Sequence, residues 1–261
     1  MTALRIFFIG GATSYRALFN WLSPWIFVPT FLVAPIFQIL LFVYIGRSAG
    51  ARSDEFYVIG NALQYAAIPC IFAMSNTIAG ERFQQTLGYI LATPARRLPL
   101  FVGRSLPVIA NGMLVSAFAL VVGGTIVGIH VPVSSVASLA LVIAVASFAC
   151  TGLGLVSAAI GLLARDTATL NNIVFGLLLV FTGANVPLHE MPGWMSTIAQ
   201  GLPLTHGIEA SRRLAEGASL TSVDRLVAAE ALVGALYLVV GYLVLRGMEQ
   251  QSRRLATLER L

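Results

Sequence analysis

The sequence contains no lysine, and all 16 basic residues among its 261 are arginine. Chemistry that needs a lysine amine, such as Schiff-base formation, is therefore excluded. The P-loop of nucleotide hydrolases is excluded as well, because its lysine neutralises the β- and γ-phosphates of the bound nucleotide. If ATP drives this protein, another chain must bind the nucleotide.

Charge of either sign is scarce. Only 10% of the residues are charged and 57% are apolar, whereas about 25% of a soluble domain is charged. The two cysteines, Cys70 and Cys150, lie in apolar runs and predict neither a disulfide nor a metal site. Three histidines, His130, His189 and His206, are too scattered for a multi-histidine site. With a mean hydropathy of +0.86, the chain is not a water-soluble protein.

Six apolar stretches are long enough to cross a bilayer, whose hydrocarbon core of about 30 Å needs roughly 20 helical residues. They predict an all-α integral membrane protein with six transmembrane helices, approximately Leu22–Ile45, Phe56–Ala79, Ser105–Ile129, Val136–Ala164, Ala168–Val186 and Ala228–Leu245. Residues 1–20 are amphipathic with aromatic anchors, which predicts an interfacial helix. A secretory signal is the competing interpretation, but its apolar core is short and Arg16 follows it.

The placement of the arginines predicts the orientation. With the amino terminus inside, eleven arginines lie on the cytoplasmic side and five outside, and positive charge near span ends is retained in the cytoplasm. Both termini are therefore predicted to be cytoplasmic. The outer acids then include Glu190, Glu209 and Glu230. The basic balance reflects topology, and no nucleic-acid partner is needed to explain it.

A cytoplasmic segment, residues 81–97, separates the second and third spans. Phe83, Leu87, Ile90 and Leu91 recur at helical spacing, and Pro94 ends the pattern. The segment is either an interfacial connector whose arginines meet lipid phosphates or a short helix that docks in a partner protein.

A second long connection, residues 187–213, precedes the last span on the outer side. It is apolar enough to enter lipid, but proline and glycine interrupt it too often for one spanning helix. Trp194 is suited to the interface. This composition predicts a pair of short helices that re-enter the outer leaflet.

The order of these elements resembles the membrane, or permease, subunit of type-2 ABC exporters. Two motifs carry the resemblance: Glu-Arg-x-x-x-Thr-Leu-x-x-x-Leu-x-x-Pro at residues 81–94, and Pro-x-x-x-x-Pro-x-Trp at residues 187–194. The resemblance covers essentially the whole chain as one transmembrane permease domain. It implies a multi-pass protein of the bacterial inner membrane that forms the substrate pathway for a drug, antibiotic, lipid or glycan.

The resemblance also implies partners. A separate ATPase chain would bind ATP and Mg²⁺, and a second permease chain, identical or homologous, would complete the pathway. The implied ATPase-coupling residues are Glu81, Arg82, Phe83, Thr86, Leu87, Leu91 and Pro94. The implied outer gate contains Pro187, Pro192, Trp194 and Pro203.

Polar residues recur on one helical stripe of the second span and again in the fifth. Mixed amide and aromatic stripes suit a pathway that accepts an amphipathic solute without holding it tightly. The alternative is that these amides hydrogen-bond between helices. The predicted pathway-lining residues are Asn61, Gln64, Tyr65, Phe72, Asn76, Asn171, Asn172, Phe175, Thr182 and Asn185.

Small residues line parts of the third and fourth spans. Gly124-x-x-x-Gly128 in one, and Gly154, Ala158 and Gly161 in the other, offer faces for close approach. These faces form either a subunit interface or close packing within one bundle, and the second use is the more common.

Enzymatic function is not indicated. His189-Glu190 begins a zinc-protease motif, but Gly193 stands where the second histidine is required. No G-x-S-x-G elbow occurs, and no catalytic, metal or cofactor site is predicted in this chain.

An ion-gradient-driven secondary transporter is the alternative function. Such proteins place ionisable groups near the membrane midplane, whereas the span centres here lack charge. A membrane scaffold would need no amide stripes.

Overall fold

The structure, a computed structural model, describes residues 24–83, 97–161 and 167–255. These residues are mostly helical and contain no strand. Five helical segments among them are long and apolar enough to cross a membrane: Trp25–Ala49, Asp54–Asn76, Ser105–Val127, Val133–Gly161 and Asp224–Gly247. The predicted all-α integral membrane fold is confirmed. The predicted interfacial helix at residues 1–20, and most of the cytoplasmic segment, lie outside the described residues.

The first span changes its helical geometry near its start. It consists of α1 (Pro24–Phe27), a wider π-helical stretch (Val28–Val33) and α2 (Ala34–Ala49). Pro29 lies inside the wide stretch, and Pro35 follows shortly after its end. A proline donates no backbone hydrogen bond and its ring crowds the carbonyl four residues earlier, so the regular ladder is interrupted there.

The second span is a broken helix, although the sequence predicts a continuous one over Phe56–Ala79. It consists of α3 (Asp54–Gln64) and α4 (Ala67–Phe83). Pro69 explains the break, because it cannot donate to the carbonyl of Tyr65 and its ring displaces that carbonyl. The Tyr65 oxygen instead accepts from the N–H of Ile68 at 3.3 Å.

The third and fourth spans are α5 (Arg97–Val127) and α6 (Val136–Gly161). Gly128 ends α5 in a left-handed conformation with φ 87°, and its N–H bonds to the Gly124 carbonyl at 2.8 Å. Nothing in the described structure lies within 4 Å of a Cβ built at Gly128. Within the described chain Gly128 thus serves as a helix stop and makes no close packing contact, and a subunit interface at this glycine stays a prediction. A Cβ at Gly154, by contrast, would lie 2.8 Å from the Cys70 carbonyl oxygen, so that glycine packs inside the bundle as expected.

The fifth span is shorter than the predicted Ala168–Val186. Its helix, α7 (Thr167–Phe181), has 15 residues, fewer than the roughly 20 that cross a bilayer. Gly183 adopts a left-handed φ of 80° just beyond the helix, and residues 182–186 are irregular. Irregular backbone at membrane depth is tolerated only where other protein groups satisfy its polar atoms. Here Arg212 donates hydrogen bonds to the Gly183 and Ala184 carbonyls.

Two short helices stand where the sequence predicts a broken outer segment. They are followed by the last span, so that the carboxyl-terminal part consists of α8 (Gly193–Gln200), α9 (Thr205–Ala215) and α10 (Asp224–Leu255). Single helical turns at Leu188–Glu190 and Leu220–Ser222 join them to their neighbours. Entry of α8 and α9 into the outer leaflet stays a prediction.

α6 lies at the centre of the bundle and packs against α4, α5 and α10. Glycines bring the backbones of α6 and α10 together. A Cβ at Gly234 would lie 2.7 Å from the Ala149 Cα, and one at Gly152 would lie 2.6 Å from the Gly234 carbonyl oxygen. Contacts this close leave no room for a methyl group, and they allow dispersion to hold the last span without hydrophobic driving force from water.

We expect Gly234→Ala to destabilise the protein, because the added methyl would overlap the backbone of α6. Overpacking of this kind costs about 1–3 kcal/mol, which should lower the thermal unfolding midpoint in detergent by several degrees. Gly176→Ala is the matched control, since nothing in the described structure lies within 4 Å of a Cβ at this position in α7. Equal midpoints for the two variants would contradict the close contact between α6 and α10.

Candidate functional site

Buried polar side chains join the second and fifth spans along a line that we call the polar seam. It consists of three contacts: Asn61 with Asn185, Gln64 with Thr182, and Ser75 with Asn171. The first partner of each pair lies on α3 or α4, and the second lies on α7 or in the irregular residues after it. The seam therefore connects two spans that are far apart in the sequence.

The first contact ties together three parts of the chain. The fully buried Asn61 donates from Nδ2 to the Asn185 Oδ1 and to the Tyr57 carbonyl, both at 2.9 Å. Its Oδ1 accepts from the Gln38 Nε2 of α2, also at 2.9 Å. Every hydrogen-bonding atom of the Asn61 amide is thus used inside the protein. Gln38 belongs to the site although the sequence did not single it out.

The second contact leaves half of an amide unpaired. The Thr182 hydroxyl lies 3.0 Å from the Gln64 Oε1 and 2.6 Å from the Leu178 carbonyl, to which its single hydrogen is best donated. Gln64 is fully buried, and its Nε2 has no partner among the described residues. Whichever end of the amide faces Thr182, the other end is left without a hydrogen bond.

The third contact has the same character. The Ser75 hydroxyl lies 3.0 Å from the Asn171 Oδ1 and 3.4 Å from the Gly154 carbonyl of α6. Asn171 is fully buried, and its Nδ2 has no partner within the described structure. A buried amide without a partner costs about 1–3 kcal/mol. The interior of the seam therefore retains unused hydrogen-bonding capacity.

The predicted pathway-lining residues divide into two groups. One group is buried in or beside the seam and comprises Asn61, Gln64, Tyr65, Asn171 and Thr182. The other reaches the surface of the isolated chain: Asn76 and Asn172 are exposed, and Phe72, Phe175 and Asn185 are half-buried. Tyr65 and Phe175 connect the groups through an edge-on ring contact with centroids 6.2 Å apart. The buried group makes hydrogen bonds between spans, which is what the alternative to a pathway lining predicts.

Arg212 lies at the end of the seam that contains Asn61 and Asn185. It lies on α9 and donates to three backbone carbonyls, those of Gly183 at 2.9 Å, Ala184 at 2.9 Å and Phe56 at 3.1 Å. Its guanidinium carbon stands 3.5 Å from the centroid of the Phe56 ring, which is a favourable cation–π geometry. Burial lowers the pKa of Arg212 to about 10, still above neutral pH, so the group is a cation.

The backbone partners of Arg212 explain why the helix of the fifth span can end early. Gly183 and Ala184 lie in the irregular residues after α7, and the guanidinium donates to their carbonyls, which no helix satisfies. Fork-like donation suits arginine, because its planar group carries several N–H bonds in fixed directions. Sequence reasoning placed Arg212 among the outer charges and missed this role.

Glu230 is a buried carboxylate near the amino-terminal end of α10. It is fully inaccessible, and its two oxygens accept from the backbone N–H groups of Leu204 at 2.6 Å and Gly207 at 3.0 Å. Sequence reasoning counted Glu230 among the outer acids and did not predict its burial. The available signal was its isolation inside the otherwise uncharged run Leu226–Leu245, since an acid inside a span requires an internal partner.

The residues of the implied outer gate occupy the short helices and the turns before them. Pro187 and Pro203 are buried, whereas Pro192 stands exposed just before α8. Trp194 is 62% exposed and meets the Phe181 ring edge-on at 6.1 Å. Among the described residues, Arg52 forms an ion pair with Glu190 of the preceding turn. Of the implied gate residues, Trp194 thus packs against the last residue of α7.

Most of the implied ATPase-coupling residues lie outside the described structure. Thr86, Leu87, Leu91 and Pro94 belong to this group. The backbone of Glu81, Arg82 and Phe83 continues α4 as helix. The coupling role of all seven residues stays a prediction.

Comparison with known proteins identifies the family. A search of curated proteins finds no match to this sequence. The family model described as ABC-2 type transporter matches residues 7–214, a range that includes the polar seam, α8 and nearly all of α9. A match over most of the 261 residues confirms the resemblance based on the two motifs. The chain therefore belongs to the ABC-2 type transporter family and is a transmembrane permease subunit of an ABC transporter.

Proposed function

We propose that the chain is one permease half of an ATP-driven exporter, and that its substrate pathway forms where two permease chains face each other across the polar seam. The division of the seam residues carries this proposal. Asn76 and Asn172 are exposed, and each directly follows a buried seam residue, Ser75 or Asn171. An exposed amide on a membrane-spanning helix needs a polar environment, which a hydrated pathway between two chains supplies.

The buried and exposed groups then have different tasks. The buried contacts hold the second and fifth spans together as one wall. The exposed amides, with the half-buried rings of Phe72 and Phe175, offer uncharged and individually weak contacts to a solute. Such a surface suits an amphipathic drug, antibiotic, lipid or glycan that must bind briefly and leave.

Energy is proposed to enter through the cytoplasmic segment at residues 81–97. A separate ATPase chain would dock there, with ATP and Mg²⁺ bound in that chain. α4 is helical as far as Phe83, and α5 begins at Arg97, so both ends of the segment continue into spans. Ser75 lies eight residues before Phe83, about 12 Å along a helix. A displacement of the segment is thereby delivered to the seam by a rigid element.

Location and orientation form part of the proposal. We place the chain in the bacterial inner membrane with both termini in the cytoplasm, because most arginines then lie on the inner side. The turns that contain Arg47, Arg52 and Glu190 would face outward. The second permease chain would be identical or homologous.

A secondary transporter would need an ionisable group available to its coupling ion. In the part of the chain that the structure describes, Glu230 is the one buried carboxylate. Both of its oxygens are engaged by backbone N–H groups. It lies about six residues from the start of α10, roughly 9 Å along the helix, and not near the span centre. These features favour a structural role and an external energy source.

The energy source is tested by co-purification. We expect the chain, extracted under mild conditions from its native membrane, to bring an ATPase subunit with it, and we expect export from intact cells to stop on ATP depletion while the membrane potential is maintained. Extraction without any ATPase, together with export that survives ATP depletion, would remove the proposal in favour of an ion-driven carrier.

The docking role of the cytoplasmic segment is tested by Leu87→Ala and Glu81→Gln. Each should reduce transport per ATP hydrolysed severalfold while the permease remains folded, because the predicted contact with the ATPase is lost. Gln85→Ala, on the polar side of the same predicted helix, is the matched control. Unchanged transport in both variants would assign the segment to the lipid interface.

Separate roles for the buried and exposed amides are tested by Asn61→Leu and Asn172→Leu. Loss of the Asn61 bonds leaves Gln38 and Asn185 unpaired, so we expect a lower unfolding midpoint, corresponding to about 1–3 kcal/mol. Asn172→Leu should leave the midpoint unchanged and alter which solutes are exported. Ile173→Ala, at the exposed neighbouring position of α7, is the control for Asn172. If Asn172→Leu changes stability alone, the exposed seam residues are packing residues.

A further inference from the structure

α9 lacks an amino-terminal cap of its own. The residue before it, Leu204, has a left-handed φ of 76° and no side chain able to accept a hydrogen bond. The first turns of a helix leave N–H groups without internal partners, and a buried helix start must find acceptors elsewhere. In most helices a neighbouring serine, threonine, asparagine or aspartate supplies them. Here the hydrogen-bond acceptors come from α10, the last span.

Glu230 is that cap. Its carboxylate on α10 accepts from the N–H groups of Leu204 and Gly207 at 2.6 and 3.0 Å. A negative charge at the positive end of a helix adds electrostatic attraction to these bonds. Gly207 packs closely on α6, because a Cβ there would stand 3.2 Å from the Ala146 Cβ, while its distance of 3.6 Å to the Glu230 carboxyl carbon would be an ordinary contact.

The far end of α9 is attached to different spans. Arg212, two turns further along, bonds to the Phe56 carbonyl of α3 and to the carbonyls of Gly183 and Ala184 after α7. Gly60 leaves the necessary space, since a Cβ there would lie 2.4 Å from the Ala184 carbonyl oxygen and 2.7 Å from the Arg212 Nη2.

We propose that α9 is a rigid link between the last span and the outer end of the polar seam, with Glu230 as the positioning residue at one end and Arg212 at the other. Both attachments are charge-assisted bonds to backbone atoms, which are stronger than neutral ones. The five or so residues between them form a continuous helix. Movement of α10 is therefore transmitted through α9 to α3 and to the residues after α7.

The consequence for transport rests on the proposed function. If the seam forms the wall of the pathway, the link makes the outer opening depend on the position of the last span. Glu230 then acts on export through α9 and Arg212, without touching the substrate.

The link itself is tested by hydrogen exchange on the full chain in its transporter complex. Glu230→Gln keeps the size of the side chain but removes its charge and one acceptor. We expect backbone exchange at residues 204–207 to accelerate about tenfold or more, and exchange at residues 183–186 to accelerate as well. Glu209→Gln is the matched control, because Glu209 lies on the same helix in an exposed ion pair with Arg213 at 2.9 Å.

Transport per ATP hydrolysed gives the functional readout. Glu230→Gln should lower this ratio severalfold with ATP hydrolysis retained, and adding Arg212→Gln should cause little further loss, since either change breaks the same link. General destabilisation would lower hydrolysis and transport together, and two independent effects would multiply. Glu230→Asp, which keeps the charge but shortens the reach, serves the same test if the glutamine variant does not fold.

The outcomes separate the two proposals. Unchanged exchange at residues 183–186 in the Glu230 variants overturns the link, whatever the transport result. Faster exchange there with an unaltered transport ratio also overturns its role in export. If the proposed function is wrong, the unsubstituted protein will show no ATP-dependent transport. The exchange result will still measure the link.

Discussion

Hydrocarbon offers no hydrogen-bond partners, so the polar groups that this chain carries into a membrane must be satisfied by the chain itself or by water in a hydrated cavity. The structure meets this constraint by pairing polar atoms from different spans. Asn61 bonds to α2 and to the residues after α7, Ser75 bonds to α7, and Arg212 takes the carbonyls left free where α7 ends. The same bonds that satisfy these groups also determine which spans lie side by side.

The constraint also explains the choice of amides and hydroxyls in the seam. A buried charge in a span centre would need a fully matched partner. Separating the charge from that partner during a conformational change would be costly. Amide contacts between membrane helices average only about 0.6 kcal/mol each. Three such contacts hold the second span against the fifth while leaving the wall able to shift. The two strong attachments, Glu230 and Arg212, both involve α9, which forms the proposed link.

Much of the fold follows from composition and periodicity. The long apolar runs predict the spans because no other structure satisfies the backbone in lipid, and prolines with glycines correctly indicate short helices between α7 and α10. The differences occur where one residue changes local geometry. Pro69 divides the second span, and Gly183 shortens the fifth. Both residues are visible in the sequence, but a proline or glycine in an apolar run is compatible with either a kinked helix or its end, and only the neighbouring spans decide between these outcomes.

The sequence by itself determined that this is an all-α membrane protein of the ABC-2 type transporter family, because hydropathy and motif order depend on residues close together along the chain. The partners of Asn61, Glu230 and Arg212 were decided only by the tertiary structure. Asn61 bonds to Asn185, 124 positions away, and Glu230 bonds to Leu204, 26 positions away. Arg212 bonds to Phe56, 156 positions away. Nothing in helical periodicity reports which distant carbonyl or N–H group a buried side chain will reach. That choice depends on how the spans pack, and here the packing depends on glycines that let α6 and α10 approach and on one left-handed turn at Gly183.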